Sequence, residues 1–257
     1  MNLKHLGLFE GIGGFSLAAR WAGWETLAWC EWDKNCQRVL KYHFPNAIPH
    51  GDITQTDFTG YAGRVDVLTG GFPCQPYSSA GKRLGDNDDR ALWGEMLRAI
   101  RETGPPWVVG ENVVGITNLA GGETLRRIRL DLENIGYEVE VFDIPAYCAG
   151  LQTMERHIWI VAKAIGKRFK GSKANAHKDN GGKREFQGAN QGNFGRWNIS
   201  ESRFCRVAER VSGRVDRYSR ERIKQLGNAI VPQVAFQIFK AINQYENAEH
   251  SKQPDQI

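Results

Sequence analysis

The sequence predicts an α/β domain: a mostly parallel sheet with helices on both faces and an antiparallel strand at the edge. Three observations carry that expectation. From residue 5 to about residue 163, short apolar runs alternate with helix-patterned stretches, as parallel strands joined by crossover helices require. The first apolar run is followed by a glycine-rich turn, which is how such sheets pass from a strand into a helix. The last two strand-like runs stand too close together to hold a helix between them, so they are expected to pair antiparallel. A length of 257 residues with 41% hydrophobic content suits one large domain, with or without a small appendage.

The elements follow in order. Residues 5–9 read as a strand, 11–14 as the glycine-rich turn, and 15–22 as a helix closed by Gly23. Residues 25–31 read as the second strand. Asp33 has the character of an N-cap for a helix ending at His43, with Pro45 just beyond. A third strand is expected before Asp52. Further strands are expected at 65–69, 107–110, 137–142 and 157–162, with helices near 91–102 and 123–135. Residues 164–202 lose all periodicity and are dominated by Gly, Asn, Lys and Gln, which suits a segment that orders on a partner. Helical spacing returns at Val231, Val234, Ala235, Ile238, Phe239, Ile242 and Tyr245, a face that packs back onto the sheet, and fraying is expected after about residue 247. The expected organisation is a domain over 1–163, a small irregular region over 164–216, and a segment over 217–257 that returns to the first.

The five cysteines are odd in number and show no CxxC spacing. That pattern argues against a disulfide scaffold and a zinc site, so no metal is expected and a reducing, intracellular setting is. No signal peptide and no membrane-spanning run is apparent, so no membrane partner is expected. The net charge is +5, and residues 167–196 alone hold eight Lys/Arg against two acids. A basic stretch so localised suits phosphate contact, although a solvated loop would look the same.

The glycine turn Phe9-Glu10-Gly11-Ile12-Gly13-Gly14-Phe15 lets a ligand approach the backbone at a helix N-terminus. Glu31-Trp32 ends the second strand, where an acid can hold ribose hydroxyls and an indole can cover a base. Asp52-Ile53 follows the third, where an acid can read an adenine amino group. Together these outline a nucleoside-containing cofactor, and their spacing fits NAD and S-adenosylmethionine equally. Beyond the apolar run Val65-Asp66-Val67-Leu68-Thr69 comes Gly70-Gly71-Phe72-Pro73-Cys74-Gln75-Pro76-Tyr77-Ser78, which presents a thiol at the carboxyl edge of the sheet. A thiolate there can attack an electrophilic carbon and later leave.

With this loop in view, the chain resembles a DNA cytosine-C5 methyltransferase, in particular a small orphan or phage-type member. The motifs that carry the resemblance are residues 9–15, Glu31-Trp32, Asp52-Ile53, Gly71-Phe72-Pro73-Cys74-Gln75, Arg90-Ala91-Leu92-Trp93, Glu111-Asn112-Val113, Gln152-Thr153-Met154-Glu155-Arg156 and Gly227-Asn228-Ala229. They cover nearly the whole chain except the basic stretch. The resemblance implies an S-adenosylmethionine-dependent, Rossmann-like fold with a small target-recognition region. It implies that Cys74 attacks cytosine C6, that Glu111 holds or protonates N3, and that Arg156 holds O2. The cofactor, released as S-adenosylhomocysteine, would be held by Phe9, Gly11, Ile12, Gly13, Gly14, Glu31, Trp32, Asp52, Ile53, Pro73, Leu92, Asn228 and Ala229. Gln75, Tyr77 and Ser78 would lie on a loop that closes over a flipped base. Lys167, Arg168, Lys170, Lys183, Arg184 and Arg196 would meet DNA phosphates. The expected partner is double-stranded DNA, bound by a monomer in the cytoplasm of a bacterial or phage-infected cell.

Four positions depart from the family pattern. Gly7 stands where an acid is usual, Glu10 where a small residue is usual, Met154 in place of an arginine and Leu151 in place of a proline. Glu10 is expected either to meet the methionine ammonium group or to face solvent. Losing the cation at Met154 is expected to weaken a phosphate or loop contact rather than the chemistry. The competing expectations are an RNA (tRNA) cytosine methyltransferase on the same scaffold, a DNA-binding protein with little catalysis, and, more remotely, an NAD-dependent oxidoreductase.

Overall fold

The computed structural model describes residues 2–73, 89–166 and 229–251. Seven strands form one sheet in the order β3-β2-β1-β4-β5-β7-β6. They are β1 (Lys4–Leu8), β2 (Glu25–Cys30), β3 (Ile48–His50), β4 (Val67–Gly70), β5 (Trp107–Val113), β6 (Tyr137–Pro145) and β7 (Arg156–Ala164). The first five run parallel. The expected antiparallel pair is present. β7 is inserted between β5 and β6 and runs against both, so the antiparallel strand lies one place in from the edge.

Helices cover both faces. These are α1 (Gly14–Trp21), α2 (Lys34–His43), α3 (Asp89–Thr103), α4 (Glu123–Asn134) and α5 (Pro232–Ser251). Strand alternation divides the core into two layers. Val108, Ile158, Ile160 and Ala162 pack with Met96 and Ile100 of α3 and Ile128 and Leu132 of α4. Trp107, Val109, Trp159 and Val161 pack with Phe15 and Ala18 of α1 and Val234, Ile238 and Phe239 of α5. Asp33 caps α2 as expected: its Oδ1 accepts from the N–H groups of Asn35 (2.7 Å) and Cys36 (3.2 Å).

Two expectations change. β5 continues through Glu111 and Asn112 to Val113, because β7 supplies a ladder partner as far as His157. α5 does not fray at residue 247 but runs to Ser251. Its polar last turns are used. Glu246 Oε1 accepts from the Trp107 indole N–H (2.8 Å), the Tyr245 hydroxyl accepts from Lys163 (2.7 Å), and Ser251 Oγ donates back to the Asn247 carbonyl (2.9 Å). Most of the expected region over 164–216 lies outside the described residues. Among the described residues, no helix is long and apolar enough to cross a membrane.

The docking of α5 centres on Phe239, which is fully buried and stacks on Trp24 with ring centroids 4.3 Å apart. Phe239→Ala is expected to lower the unfolding free energy by about 3–5 kcal/mol in a denaturant titration. A loss under about 1 kcal/mol would mean that α5 does not close this face of the sheet.

Candidate active site

The strand order reverses between β1 and β4, which lie side by side with Leu8 opposite Gly70. Ligands bind at such a switch point, beyond the carboxyl ends of the strands. Here it brings the glycine turn after β1 next to the stretch Gly71-Phe72-Pro73 after β4. The turn is tight. Phe9 leaves β1 with φ +50, and Gly13 has φ +96 with Phe44 so close that a Cβ would come within 2.9 Å of the ring.

One carboxylate holds this turn to its neighbour. Glu31, just past β2, accepts the Gly11 N–H on Oε2 and the Asp33 N–H on Oε1, each at 2.7 Å. It thereby ties the β1–α1 turn to the start of α2. Beside it the Trp32 indole is 77% exposed, an uncovered aromatic face at the rim. Asp52 Oδ1 accepts from the Thr54 N–H (2.9 Å) and hydroxyl (2.8 Å). Ile53 is buried, and Arg98 of α3 donates to its carbonyl at 2.7 Å. Glu31, Trp32, Asp52 and Ile53 thus follow adjacent strands along one edge of the sheet. Ile12 and Leu92 are half-buried, Gly13 and Gly14 are buried, Pro73 is exposed, and Ala229 is half-buried just before α5.

Glu10 does not face solvent. Its side chain is buried, and Oε1 accepts the Ser16 N–H at 2.7 Å, capping the first turn of α1. Oε2 makes no hydrogen bond among the described residues. It lies against Gly7, where an added Cβ would be 2.8 Å from the Glu10 Cδ and closer still to Oε2. Two departures noted in the sequence therefore share one volume: the glycine at position 7 makes room for the carboxyl at position 10. Burial pushes that carboxyl up to about 7, against the Ser16 hydrogen bonds and with a small contribution from the Glu31 charge. Beneath it His5 is neutral, lowered by burial to about 3, and bonded to Thr26 and Thr69.

On the other side of the switch point, Glu111 and Asn112 close β5. Asn112 Nδ2 donates to the Phe72 carbonyl at 2.7 Å, which fixes the chain leaving β4. The Glu111 side chain is buried, with Oε2 3.2 Å from where a Cβ on Gly71 would stand. Its Oε1 meets His157 Nδ1, and His157 Nε2 meets Glu155 Oε1 at 3.1 Å. The Glu111 hydrogen bond raises the His157 pKa above its ordinary value, with burial opposing. Arg156 is not brought to Glu111. Its guanidinium is half-exposed and paired with Asp143 on β6. Successive residues of a strand point to opposite faces, so only one of Arg156 and His157 can share a face with Glu111.

Cys74, Gln75, Tyr77, Ser78, Lys167, Arg168, Lys170, Lys183, Arg184, Arg196 and Asn228 lie outside the described residues. Burial pushes the Cys30 and Cys36 thiols up to about 12, so neither is an available nucleophile at neutral pH. No group of metal-binding side chains occurs among the described residues.

The sequence and the fold both match known proteins. Residues 3–171 fit the model of the C-5 cytosine-specific DNA methylase family. The chain belongs to that family. It is 45% identical over 134 residues to the type II methyltransferase M.PspPI of Psychrobacter sp., covering 51% of this chain and 32% of that one. It is 33% identical over 161 residues to M.HhaI of Haemophilus parahaemolyticus, covering 62% and 49%. The chain thus spans only a third to a half of the length of these two methyltransferases. In fold it is similar to an Escherichia coli prophage protein solved as a candidate DNA modification methyltransferase, with TM-score 0.55, 22% identity, and 63% and 47% of the two chains covered.

The shared volume of Gly7 and Glu10 has two measurable consequences. Gly7→Ala is expected to cost about 2 kcal/mol in the native background but under about 0.5 kcal/mol when Glu10 is already Ala. Equal losses in the two backgrounds would separate the positions. The folded pKa of Glu10 exceeds its ordinary value, so its ionisation opposes folding as pH rises from about 4.5 to about 7. Glu10→Gln is expected to flatten the fall in thermal stability over that window, a fall worth up to about 3 kcal/mol. Superimposable wild-type and variant profiles would contradict this.

Proposed function

We propose that the protein transfers a methyl group from S-adenosylmethionine to C5 of a cytosine flipped out of double-stranded DNA. The observation that carries this reading is the buried Glu111, set at the switch point against Gly71, three residues before Cys74. A carboxyl group at the end of β5 and a thiol following β4 are the pair that cytosine C5 needs, because C5 is a weak nucleophile until C6 is attacked.

The residues at the glycine turn fit the cofactor. Glu31, held beside the glycine turn by the Gly11 N–H, offers its carboxylate beyond β2, and Trp32 offers an uncovered indole face. When bound, the cofactor supplies an electrophilic sulfonium methyl. The chain's own residues do the remainder. Cys74 Sγ bonds to C6 as the C5–C6 double-bond electrons move toward N3 and O2. Glu111, protonated, gives its proton to N3 and so neutralises that charge. C5 then takes the methyl, loses its proton to a base, and the Sγ–C6 bond breaks to restore the thiolate. Asn112, through the Phe72 carbonyl, holds the root of the cysteine loop.

Residues 1–163 form the catalytic domain in this reading, 164–216 the target-recognition region, and 217–257 the return to the sheet. Lys167, Arg168, Lys170, Lys183, Arg184 and Arg196 contact phosphates, so binding should weaken steeply with salt. The substrate site is read by a monomer.

Methyl-labelled cofactor offered with duplex DNA or with tRNA tests the reading. Label is expected in DNA, at C5 of cytosine, and Cys74→Ser is expected to lose at least about 1,000-fold in turnover while still binding cofactor. Label in tRNA alone would favour the RNA branch, and binding to DNA without any label would favour a non-catalytic protein.

A further inference from the structure

The Glu111 carboxyl has a partner that the sequence motif does not assign. β7 runs antiparallel to β5 with Trp159 directly opposite Glu111 and His157 opposite Val113. His157, Trp159 and Glu111 therefore share the face that α1 and α5 cover, with His157 the diagonal neighbour of Glu111. Diagonal pairs of long side chains can meet, and here they do. Nδ1 is bonded to Glu111 and Nε2 to Glu155. A neutral imidazole has one N–H, whereas two carboxylate acceptors call for two. The ring is thus set between its partners as an imidazolium. Arg156, one residue earlier, is committed to Asp143 on the outer strand.

We propose, on the reading of this site as a cytosine methyltransferase, that His157 is the cationic positioning residue of Glu111 and makes methyl transfer depend on an imidazolium, where an arginine would hold a permanent charge. In its protonated form it aims the carboxyl through Oε1, leaving Oε2 toward Gly71. It also offsets the Glu111 charge. Once His157 loses its proton, the carboxylate left when Glu111 gives its proton to N3 is buried beside a neutral ring, and addition of Cys74 to C6 is opposed. Among the described residues, the charged groups facing the imidazole are Glu111 on β5 and Glu155 just before β7. From β6 its register neighbour is the apolar Ile144.

The direction of the pH effect follows. The folded pKa of His157 is raised, so the cation is present below it and lost as pH rises through it. Ionisation of Cys74 acts with the opposite sign, since more thiolate forms at higher pH. An alkaline fall in activity therefore reports on His157 and not on the nucleophile.

Two measurements test this. In the first, NMR follows the His157 imidazole in the protein without DNA or cofactor. It is expected to titrate above its ordinary value, and Glu111→Gln is expected to lower it. In the second, kcat/KM for methylation of duplex DNA is measured from pH 6 to 10. Wild type is expected to lose activity with the midpoint seen by NMR. His157→Gln should be roughly 10- to 100-fold slower near neutral pH and lack that alkaline limb. His157→Arg, whose charge cannot titrate away in this range, should recover most of the neutral rate and keep it at high pH. Arg156→Gln should retain the alkaline limb, whatever it does to DNA affinity. The proposal is overturned if the free protein's His157 titrates at or below its ordinary value, or if His157→Gln keeps the wild-type profile. A wild type that methylates no DNA removes the functional reading and the pH limb with it, while the NMR result still decides the pairing.

Discussion

A carboxylate buried at the end of β5 requires a cation beside it, and the direction of β7 provides one. An unpaired buried charge costs several kcal/mol, and the pairing must be geometrically good to offset that. Strands parallel to β5 bring their last residues to the active edge. β7 runs the other way, so its first residues arrive there, and His157 is among them. The insertion of an antiparallel strand between β5 and β6 is thus part of how the site is assembled. The connection is short enough to permit it: a single turn at Ala146–Ala149 follows β6, and β7 begins after six more residues.

The cofactor side of the switch point is organised by carboxylates too, with different consequences. Glu31 is half-buried and uses both oxygens to join two strand-to-helix turns, so the turns that flank the expected nucleoside site are braced against each other. Glu10 is buried and uses one oxygen to cap α1, while the other lies dry against Gly7. Desolvation raises the Glu10 carboxyl far more strongly than its hydrogen bonds to Ser16 lower it. Glu10 is therefore a structural part of the turn, and neither of its oxygens meets solvent.

Much of the fold was legible because it depends on local pattern. The alternation of apolar runs with helical stretches, the cap at Asp33 and the stop at Gly23 each follow from a few neighbouring residues. The length of α5 was not legible, since its last turns are polar. Glu246 belongs to the helix because it answers an indole N–H from Trp107, far away in sequence. Within the site, Glu31 and Glu111 could be found by position at strand ends. His157 was hidden for a definite reason. β7 is apolar on both faces from Ile158 to Ala162, so no alternation in the sequence reveals which of Arg156 and His157 shares a face with Glu111. Register alone decides it, and register belongs to the sheet. The Gly7–Glu10 relation is similar: two separate oddities become one once the turn folds the second carboxyl back over the first position.

The central claim is that Cys74 forms a covalent bond to a cytosine held against Glu111. DNA carrying 5-fluorocytosine tests it most directly, because a fluorine at C5 cannot leave as a proton and the bond to C6 is trapped. Incubation with S-adenosylmethionine, followed by proteolysis and mass spectrometry, is predicted to find the methylated fluorocytosine attached to the peptide containing Cys74. Attachment to another residue, or methyl transfer to ordinary cytosine with no covalent species under the same conditions, would contradict the account.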